Sequence, residues 1–226
     1  MAPAHPLSWD EEGRPRSDIY DEAFFTGGRA EVEHVYLGGN GLPARWHGWT
    51  GPFHLAELGF GTGLNFAVAL AAWREAGAPG PLQVTSIEHA PLPLAAQRRA
   101  IAPWSDLWAL AEPFLAAFTA APGWQEVGHG EVTLSLGIGE AEVLIGDVAP
   151  ADAWFLDGFS PARNPAMWTP TLLSAVARAT RPGGTAATFT AAGQVRRTLA
   201  EVGFTVERRP GFARKRHMTA AVLDRS

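Results

Sequence analysis

Residues 57–65 read Glu-Leu-Gly-Phe-Gly-Thr-Gly-Leu-Asn, and this glycine-rich stretch decides the fold. An apolar run, Phe53 to Leu58, leads into it, and a run rich in Ala and Leu, Leu64 to Trp73, follows it. The pattern predicts a strand, a tight turn and a helix whose first N–H groups face a ligand. The spacing is Gly-x-Gly-x-Gly, with Leu64 where the dinucleotide fingerprint has its third glycine. The turn therefore predicts a ligand site, and its spacing argues against a dinucleotide.

Downstream of this turn, segments with strand and helix patterns alternate. The predicted strands are 83–87, 132–138, 153–156 and 185–189, and the predicted helices are 94–102, 107–120, 169–180 and 190–202. Thr169 and Thr190 are the expected N-caps of the last two helices. A strand pair, 204–208 and 218–223, closes the chain. This alternation predicts an α/β fold with a doubly wound, mostly parallel sheet and a terminal antiparallel strand.

The N-terminal part of the chain follows a different pattern. Residues 31–37 alternate polar and apolar side chains, Gly38-Gly-Asn-Gly41 follows, and a second short run ends near Trp46. Alternation on both sides of a glycine-rich turn predicts a β-hairpin. We therefore expect an N-terminal extension with a hairpin over residues 1–50 and a Rossmann-type domain over residues 51–226.

Acidic residues follow the predicted strands. Glu88 stands directly after the second strand, Glu140 after the third, and Asp157 after the fourth. Because ligands of doubly wound sheets bind at the carboxyl ends of the strands, we expect these acids to surround one site, with Glu88 accepting the hydroxyls of a ribose. Asp147 competes with Glu140 for its role, and we favour Glu140. Asp157 is either a base for an incoming nucleophile or a turn residue that binds nearby N–H groups.

Composition and charge indicate which classes of ligand and location to expect. The chain has 226 residues, no cysteine and a net charge of −5. Residues 194–226 hold eight Lys or Arg against three acids, a net charge of +5, so the remainder carries −10. The basic end is compatible with phosphate binding. With no signal peptide, no apolar run of membrane-spanning length, no cysteine and scattered histidines, we expect a cytoplasmic protein without a metal site.

The glycine turn resembles the first motif of Rossmann-type methyltransferases. In that class, the acid two residues before the first glycine lies near the amino group of the methionine part of S-adenosyl-L-methionine, and here it is Glu57. A carboxylate suits an ammonium group. The resemblance implies S-adenosyl-L-methionine as the cofactor, held by Glu57, Gly59, Gly61, Thr62, Gly63, Asn65, Glu88, Glu140 and Asp157.

Five blocks make the resemblance more specific. They are residues 39–43, 57–66, 152–168, 181–197 and 211–218, and the third contains Asp-Gly-Phe-x-Pro-x-x-Asn-Pro-x-Met-Trp from Asp157 onward. In order and composition they are similar to the MnmD family of tRNA wobble-uridine methyltransferases, whose module also forms the N-terminal half of the bifunctional MnmC enzymes. The match spans about residues 8 to 222. Arg163 stands where the family usually has Lys, Gln194 where it has Phe, and Glu140 where it has Asp.

The resemblance implies N-methylation of 5-aminomethyl-(2-thio)uridine in tRNA, which gives 5-methylaminomethyl-(2-thio)uridine. Asp157 is then the catalytic residue, an acidic side chain beside the methyl donor, and the anticodon stem-loop is the partner. The expected substrate-binding residues are Asn40, Pro161, Arg163, Asn164, Arg196, Arg197, Arg214, Lys215 and Arg216. Since the sequence ends soon after the methyltransferase module, we expect the flavin-dependent oxidase half to be absent and other wobble-uridine modification enzymes to supply the substrate.

Two alternatives stay open at this point. The first is a Rossmann-type methyltransferase that acts on another amine, in a small molecule or a protein. The second is a non-catalytic scaffold with the same fold. The basic C-terminal end favours tRNA over the first alternative, and the intact loop after Asp157 disfavours the second.

Overall fold

The computed structural model describes residues 5–77 and 80–224, so Arg225 of the basic end and the first four residues lie outside the described ranges. A small antiparallel sheet opens the chain, with β1 (Leu7–Trp9), β2 (Pro15–Ser17) and β3 (Glu22–Ala23). The large sheet has eight strands: β4 (Phe53–Leu58), β5 (Leu82–Glu88), β6 (Gly123–His129), β7 (Val132–Ile138), β8 (Ala151–Leu156), β9 (Thr180–Thr188), β10 (Phe204–Pro210) and β11 (His217–Leu223).

The strand order is β10-β11-β9-β8-β4-β5-β7-β6, and it confirms the predicted doubly wound sheet. Strands β9, β8, β4, β5 and β7 pair in parallel. Strand β11 runs antiparallel between β9 and β10, as expected for the terminal strand, and β6 runs antiparallel to β7 at the opposite edge. The carboxyl ends of β4, β5, β7, β8 and β9 therefore meet at one edge of the sheet.

Helices cover both faces of this sheet. They are α1 (Arg29–Val32), α2 (Leu64–Glu75), α3 (Leu94–Ile101), α4 (Ser105–Leu115), α5 (Ala141–Leu144), α6 (Pro170–Arg178) and α7 (Gly193–Glu201). Every residue of β4 and β8 is buried, because side chains that alternate along a central parallel strand enter a core on each face. Phe155 packs with α2 and α4 on one face, and Trp154 packs with α6 and α7 on the other.

The hairpin predicted over residues 31–46 is wrong in position. Arg29–Val32 is α-helical, a π-helical turn continues it over Glu33–Leu37, and Ala44–Trp46 is a short 3-10 helix. Val32, Val35 and Tyr36 are all buried, and their spacing of three and four residues is that of a helix face. The N-terminal hairpin of the fold is the β1–β2 pair instead. The boundary at residue 50 stays a prediction.

Other differences from the sequence prediction are smaller. Strand β6 is not among the predicted strands, and the N-cap of α7 is Ala192, two residues after the predicted Thr190. Thr169 caps α6 as expected, because its hydroxyl accepts from the N–H of Leu172 (3.1 Å). No helix in the described ranges is long and apolar enough to cross a membrane.

Candidate active site

The glycine turn lies between β4 and α2 at the carboxyl edge of the sheet. Gly59, Gly61 and Gly63 have φ angles of +83°, +51° and +79°, in the region that favours glycine. A Cβ on Gly59 would lie 3.2 Å from the carbonyl oxygen of Asp157, so the turn and the loop after β8 are in close contact. Thr62, buried in the turn, accepts from the N–H of Leu64 through its hydroxyl (3.3 Å).

Glu88 connects the end of β5 to this turn. Its Oε2 accepts from the N–H of Gly61 (2.9 Å) and its Oε1 from the N–H of Ala90 (2.8 Å). Burial raises the pKa of Glu88, and these N–H groups lower it in part. The predicted convergence of Glu88 and the glycine turn on one edge of the sheet is therefore present in the fold.

A chain of hydrogen bonds links Glu57, Asn65 and Asp157. The amide of Asn65 donates to Oε1 of Glu57 (2.8 Å) and to Oδ2 of Asp157 (2.7 Å). The hydroxyl of Ser86 donates to Oε2 of Glu57 (2.7 Å), and the N–H of Gly158 donates to Oδ1 of Asp157 (2.7 Å). Asn65 and Asp157 line a cavity, whereas Glu57 is 2% exposed and lies behind that wall. Glu57 is not among the residues that line this cavity and reaches it through Asn65, so its predicted contact with the amino group of the donor stays a prediction.

The carboxyl groups of Glu57 and Asp157 both have raised pKa values. Burial raises the pKa of Glu57 to about 8, with hydrogen bonds from Ser86 and Asn65 opposing the rise. Burial also raises the pKa of Asp157 to about 6, opposed by hydrogen bonds from the Tyr36 hydroxyl, the Gly158 N–H and Asn65. At pH 7 Asp157 is mostly ionised yet has a substantial affinity for a proton, which suits a proton acceptor.

Two adjoining cavities, a smaller and a larger one, open at this edge of the sheet. They share lining residues, including Gly59 of the turn and Glu88. The larger cavity also contains Glu140, whose Oε1 lies 3.3 Å from Nδ1 of His89. Asp147 lies elsewhere and accepts from the indole N–H of Trp124 (3.1 Å), so Glu140 remains the better candidate for the ligand site.

The N-terminal segment packs over these cavities. Phe24 and Phe159 line both of them, with ring centroids 5.1 Å apart, and Tyr20 stacks on Phe159 at 4.5 Å. The carboxylate of Glu22 accepts from the N–H (2.9 Å) and hydroxyl (2.8 Å) of Ser160, just after Phe159. The two loops therefore form one wall of the site.

The structure separates the residues predicted for substrate binding. Asn40 is 1% exposed, and its amide donates to the carbonyl oxygens of Tyr36 (2.9 Å) and Trp154 (3.1 Å). Its predicted contact with substrate is therefore wrong, because this side chain joins the helical N-terminal segment to β8. Asn164 lines the larger cavity, and the exposed Arg163 pairs with Asp21 (3.2 Å). Pro161 stands at a turn in the same loop, partly exposed.

The predicted basic residues occupy two places. Arg196 and Arg197 lie on α7, where Nε of Arg196 donates to the carbonyl oxygen of Ala191 (3.3 Å). Arg214 and Arg216 are exposed in the loop between β10 and β11. Lys215, between them, lines the smaller cavity. Since β10 runs parallel to β9, this loop lies at the carboxyl edge beside the candidate site.

Sequence reasoning missed several residues of the smaller cavity, among them Glu31, Tyr36 and Phe189. Glu31 and Tyr36 lie in the segment for which the sequence predicts a strand, and Tyr36 contacts Asp157 through its hydroxyl. A helical reading of Val32, Val35 and Tyr36 would have placed these residues on a buried face. No local signal marks Phe189, which directly follows β9.

The glycine turn, the acid at the end of β5 and the mostly parallel sheet with an antiparallel β11 define a Rossmann-type methyltransferase. The open cavities beside three positive-φ glycines fit a nucleoside-containing donor of this class. A family model described as S-adenosyl-L-methionine-dependent methyltransferase matches residues 108–224, and the chain belongs to this family. S-adenosyl-L-methionine is therefore its methyl donor.

Two curated relatives carry the name tRNA 5-methylaminomethyl-2-thiouridine biosynthesis bifunctional protein MnmC. The protein from Stutzerimonas stutzeri is 45% identical over 97% of this chain, and that from a Caulobacter species is 43% identical over 97%. The chain spans only 35% and 38% of their lengths. Among solved structures, MnmC2 from Aquifex aeolicus has a TM-score of 0.79 at 23% identity, covering 98% of this chain and 71% of that one. That likeness supports the fold.

Proposed function

We propose that the chain N-methylates 5-aminomethyl-(2-thio)uridine at the wobble position of tRNA, giving 5-methylaminomethyl-(2-thio)uridine. The relatives named MnmC, which match nearly the whole chain, support the substrate class. One structural observation carries the chemistry: Asp157 faces a cavity between the glycine turn and a basic loop. The raised pKa of Asp157, about 6, suits the removal of a proton from an amine.

The reaction needs a neutral amine. S-adenosyl-L-methionine supplies a methyl group on a positively charged sulfur, so a C–S bond breaks as the new C–N bond forms. A primary alkyl amine is mostly protonated at pH 7 and has no lone pair to use until it loses a proton. Asp157 accepts that proton and orients the lone pair, while Asn65 and Tyr36 hold the carboxylate in place. Positioning of the two reactants contributes further to the rate.

The anticodon stem-loop is the proposed partner. Arg196, Arg197, Arg214 and Arg216 contact its phosphates in this proposal, and the enzymes that install the aminomethyl group act before this one on the same tRNA. Support comes from the position of the basic loop at the cavity mouth, since Lys215 lines the cavity and its neighbours are exposed. Such contacts make binding dependent on salt.

A methyl-transfer assay tests this function. The protein is incubated with S-adenosyl-L-methionine and tRNA that carries 5-aminomethyl-2-thiouridine, and the digested nucleosides are analysed by mass spectrometry. We expect conversion to the 5-methylaminomethyl nucleoside, and no conversion with the Asp157→Ala variant. Transfer to a free amine or a protein, with none to this tRNA, would overturn the proposal in favour of another acceptor.

A further inference from the structure

Glu31 lines the smaller cavity, and its two carboxylate oxygens have different partners. Its Oε2 accepts three hydrogen bonds, from the N–H (2.9 Å) and hydroxyl (3.1 Å) of Thr26 and the N–H of Gly27 (2.9 Å). Its Oε1 lies 3.6 Å from Nζ of Lys215. Burial opposes the charge, but these N–H groups and Lys215 lower the pKa of Glu31. A buried side chain, 9% exposed, thus keeps a negative charge directed into the cavity.

Lys215 fills the space next to this oxygen. Its Nζ lies 3.9 Å from the centre of the Phe189 ring, so one ammonium group contacts both a carboxylate and an aromatic face. This is the environment that binds alkylammonium groups in proteins. Glu31, Phe189, Lys215 and Asp157 line the same cavity.

The end of a lysine side chain and the modified group of the substrate are chemically alike, since each is a primary ammonium on a methylene carbon. We propose, on the basis of the function proposed above, that Glu31 and Phe189 form the site that receives the substrate's ammonium group. Lys215 occupies this ammonium site until the substrate displaces it. Glu31 is then a positioning residue that selects tRNA carrying the aminomethyl group.

The carboxylates of Glu31 and Asp157 have different roles in this proposal. Glu31 binds the amine as it arrives from water, in its protonated form. Asp157, on the wall of the same cavity, then takes the proton. The negative charge of Glu31 also raises the pKa of Asp157, so the two groups interact across the cavity. Displaced Lys215 joins Arg214 and Arg216 at the cavity mouth, where it can contact phosphate.

The test compares two anticodon stem-loops that differ only in the wobble base, 5-aminomethyluridine or uridine. Their affinities are measured by fluorescence anisotropy with S-adenosylhomocysteine present, which prevents turnover. The affinity ratio isolates the amine, because both stem-loops carry the same phosphates. For the wild-type protein we expect a ratio on the order of ten or more, as for a charge-assisted contact in a partly buried site.

Glu31→Gln should bring this ratio close to one while leaving S-adenosylhomocysteine affinity unchanged. The Gln amide oxygen can still accept from Thr26 and Gly27, so the fold is preserved. Glu33→Gln is the matched control, because Glu33 lies on the same helical segment but is exposed and pairs with Arg29 (2.7 Å). Lys215→Met should raise the ratio above the wild-type value, because the competing ammonium is gone.

An unchanged ratio in Glu31→Gln, or a loss of the ratio in Lys215→Met, would overturn the ammonium site. The ammonium site would also be overturned if the wild-type protein methylated the aminomethyl stem-loop but bound both stem-loops with equal affinity. Failure of the proposed function is a separate result, seen as a wild-type protein that methylates neither the stem-loop nor the full tRNA. That result would remove the ammonium site as well.

Discussion

Glu57 is a buried acidic residue of β4 beside Ser86 of β5. Its replacement by Gln tests how much the burial of this carboxyl group destabilises the protein. Glu57 is 2% exposed and accepts from Asn65 and Ser86. A Gln side chain fits the same space: its carbonyl oxygen can accept from Asn65, and its N–H₂ can donate to the Ser86 hydroxyl. The substitution therefore removes the titrating group with little change in packing.

The magnitude follows from the pKa of Glu57, which rises from 4.5 to about 8 on folding. The folded protein then binds a proton more tightly than the unfolded chain, so the free energy of unfolding falls as the pH rises between these values. Each pH unit removes about 1.4 kcal/mol, which makes about 3 kcal/mol at pH 7 and about 5 kcal/mol above pH 8. Glu57→Gln should be free of this loss.

Thermal and urea unfolding at pH 5, 7 and 9 without methyl donor measure the difference. Near pH 5 the two proteins should unfold at similar temperatures. At pH 9 the variant should melt about 10 °C or more above the wild type, given about 2–4 °C per kcal/mol for a chain of this size. Asp157 and Glu88 titrate in both proteins and cancel in the comparison. Stability curves that stay parallel from pH 5 to 9 would refute the assignment of a neutral, buried Glu57.

Further predictions concern the glycine turn, Asp157 and the basic loop between β10 and β11. Asp157→Asn should lower kcat by about 10²- to 10⁴-fold with donor affinity by calorimetry nearly intact; a near-normal kcat would contradict its role. Because ionised Asp157, with a pKa of about 6, is the active form, log kcat of the wild type should fall more steeply with decreasing pH below 6 than above it. Gly59→Ala should weaken donor binding as well as stability, whereas Gly130→Ala, at φ +62° in open space, should lose only about 1–2 kcal/mol of stability. Equal donor binding by the two variants would contradict the role of the glycine turn in binding the donor. Arg214→Ala and Arg216→Ala should each reduce the slope of log affinity against log salt by about one, and an unaltered slope would exclude phosphate contacts there.

The central part of the site could be predicted from sequence because its signals are local. Strands β4 and β7 have the predicted bounds, and a glycine directly follows each of them. In a parallel sheet, the residue after each strand must lie at the carboxyl edge, so Glu88 and Asp157 were placed correctly from their positions alone. The antiparallel β11 also followed from its own pattern.

The rest depends on contacts between distant parts of the chain. Strand β6 has mostly exposed or partly exposed residues and is held by pairing with β7, so its own sequence resembles a connection. Residues 31–37 fit either an alternating strand or a helix face, and packing against the core selects the helix. Because a strand was predicted for residues 31–37, Glu31 was not recognised as a site residue. Its contact with Lys215 depends on the position of the loop between β10 and β11.

The β10–β11 hairpin lies at one margin of the large sheet, and it reaches the smaller cavity through Lys215 at its tip. Changes in the length or charge of this tip leave the glycine turn, Glu88 and Asp157 in place, because those groups belong to the interior strands. This part of the cavity lining can therefore vary without disturbing the glycine turn. An engineer who wishes to change the proposed acceptor can begin with residues 211–216, and the proposed ammonium site, which also needs Glu31 and Phe189, limits how far such changes go.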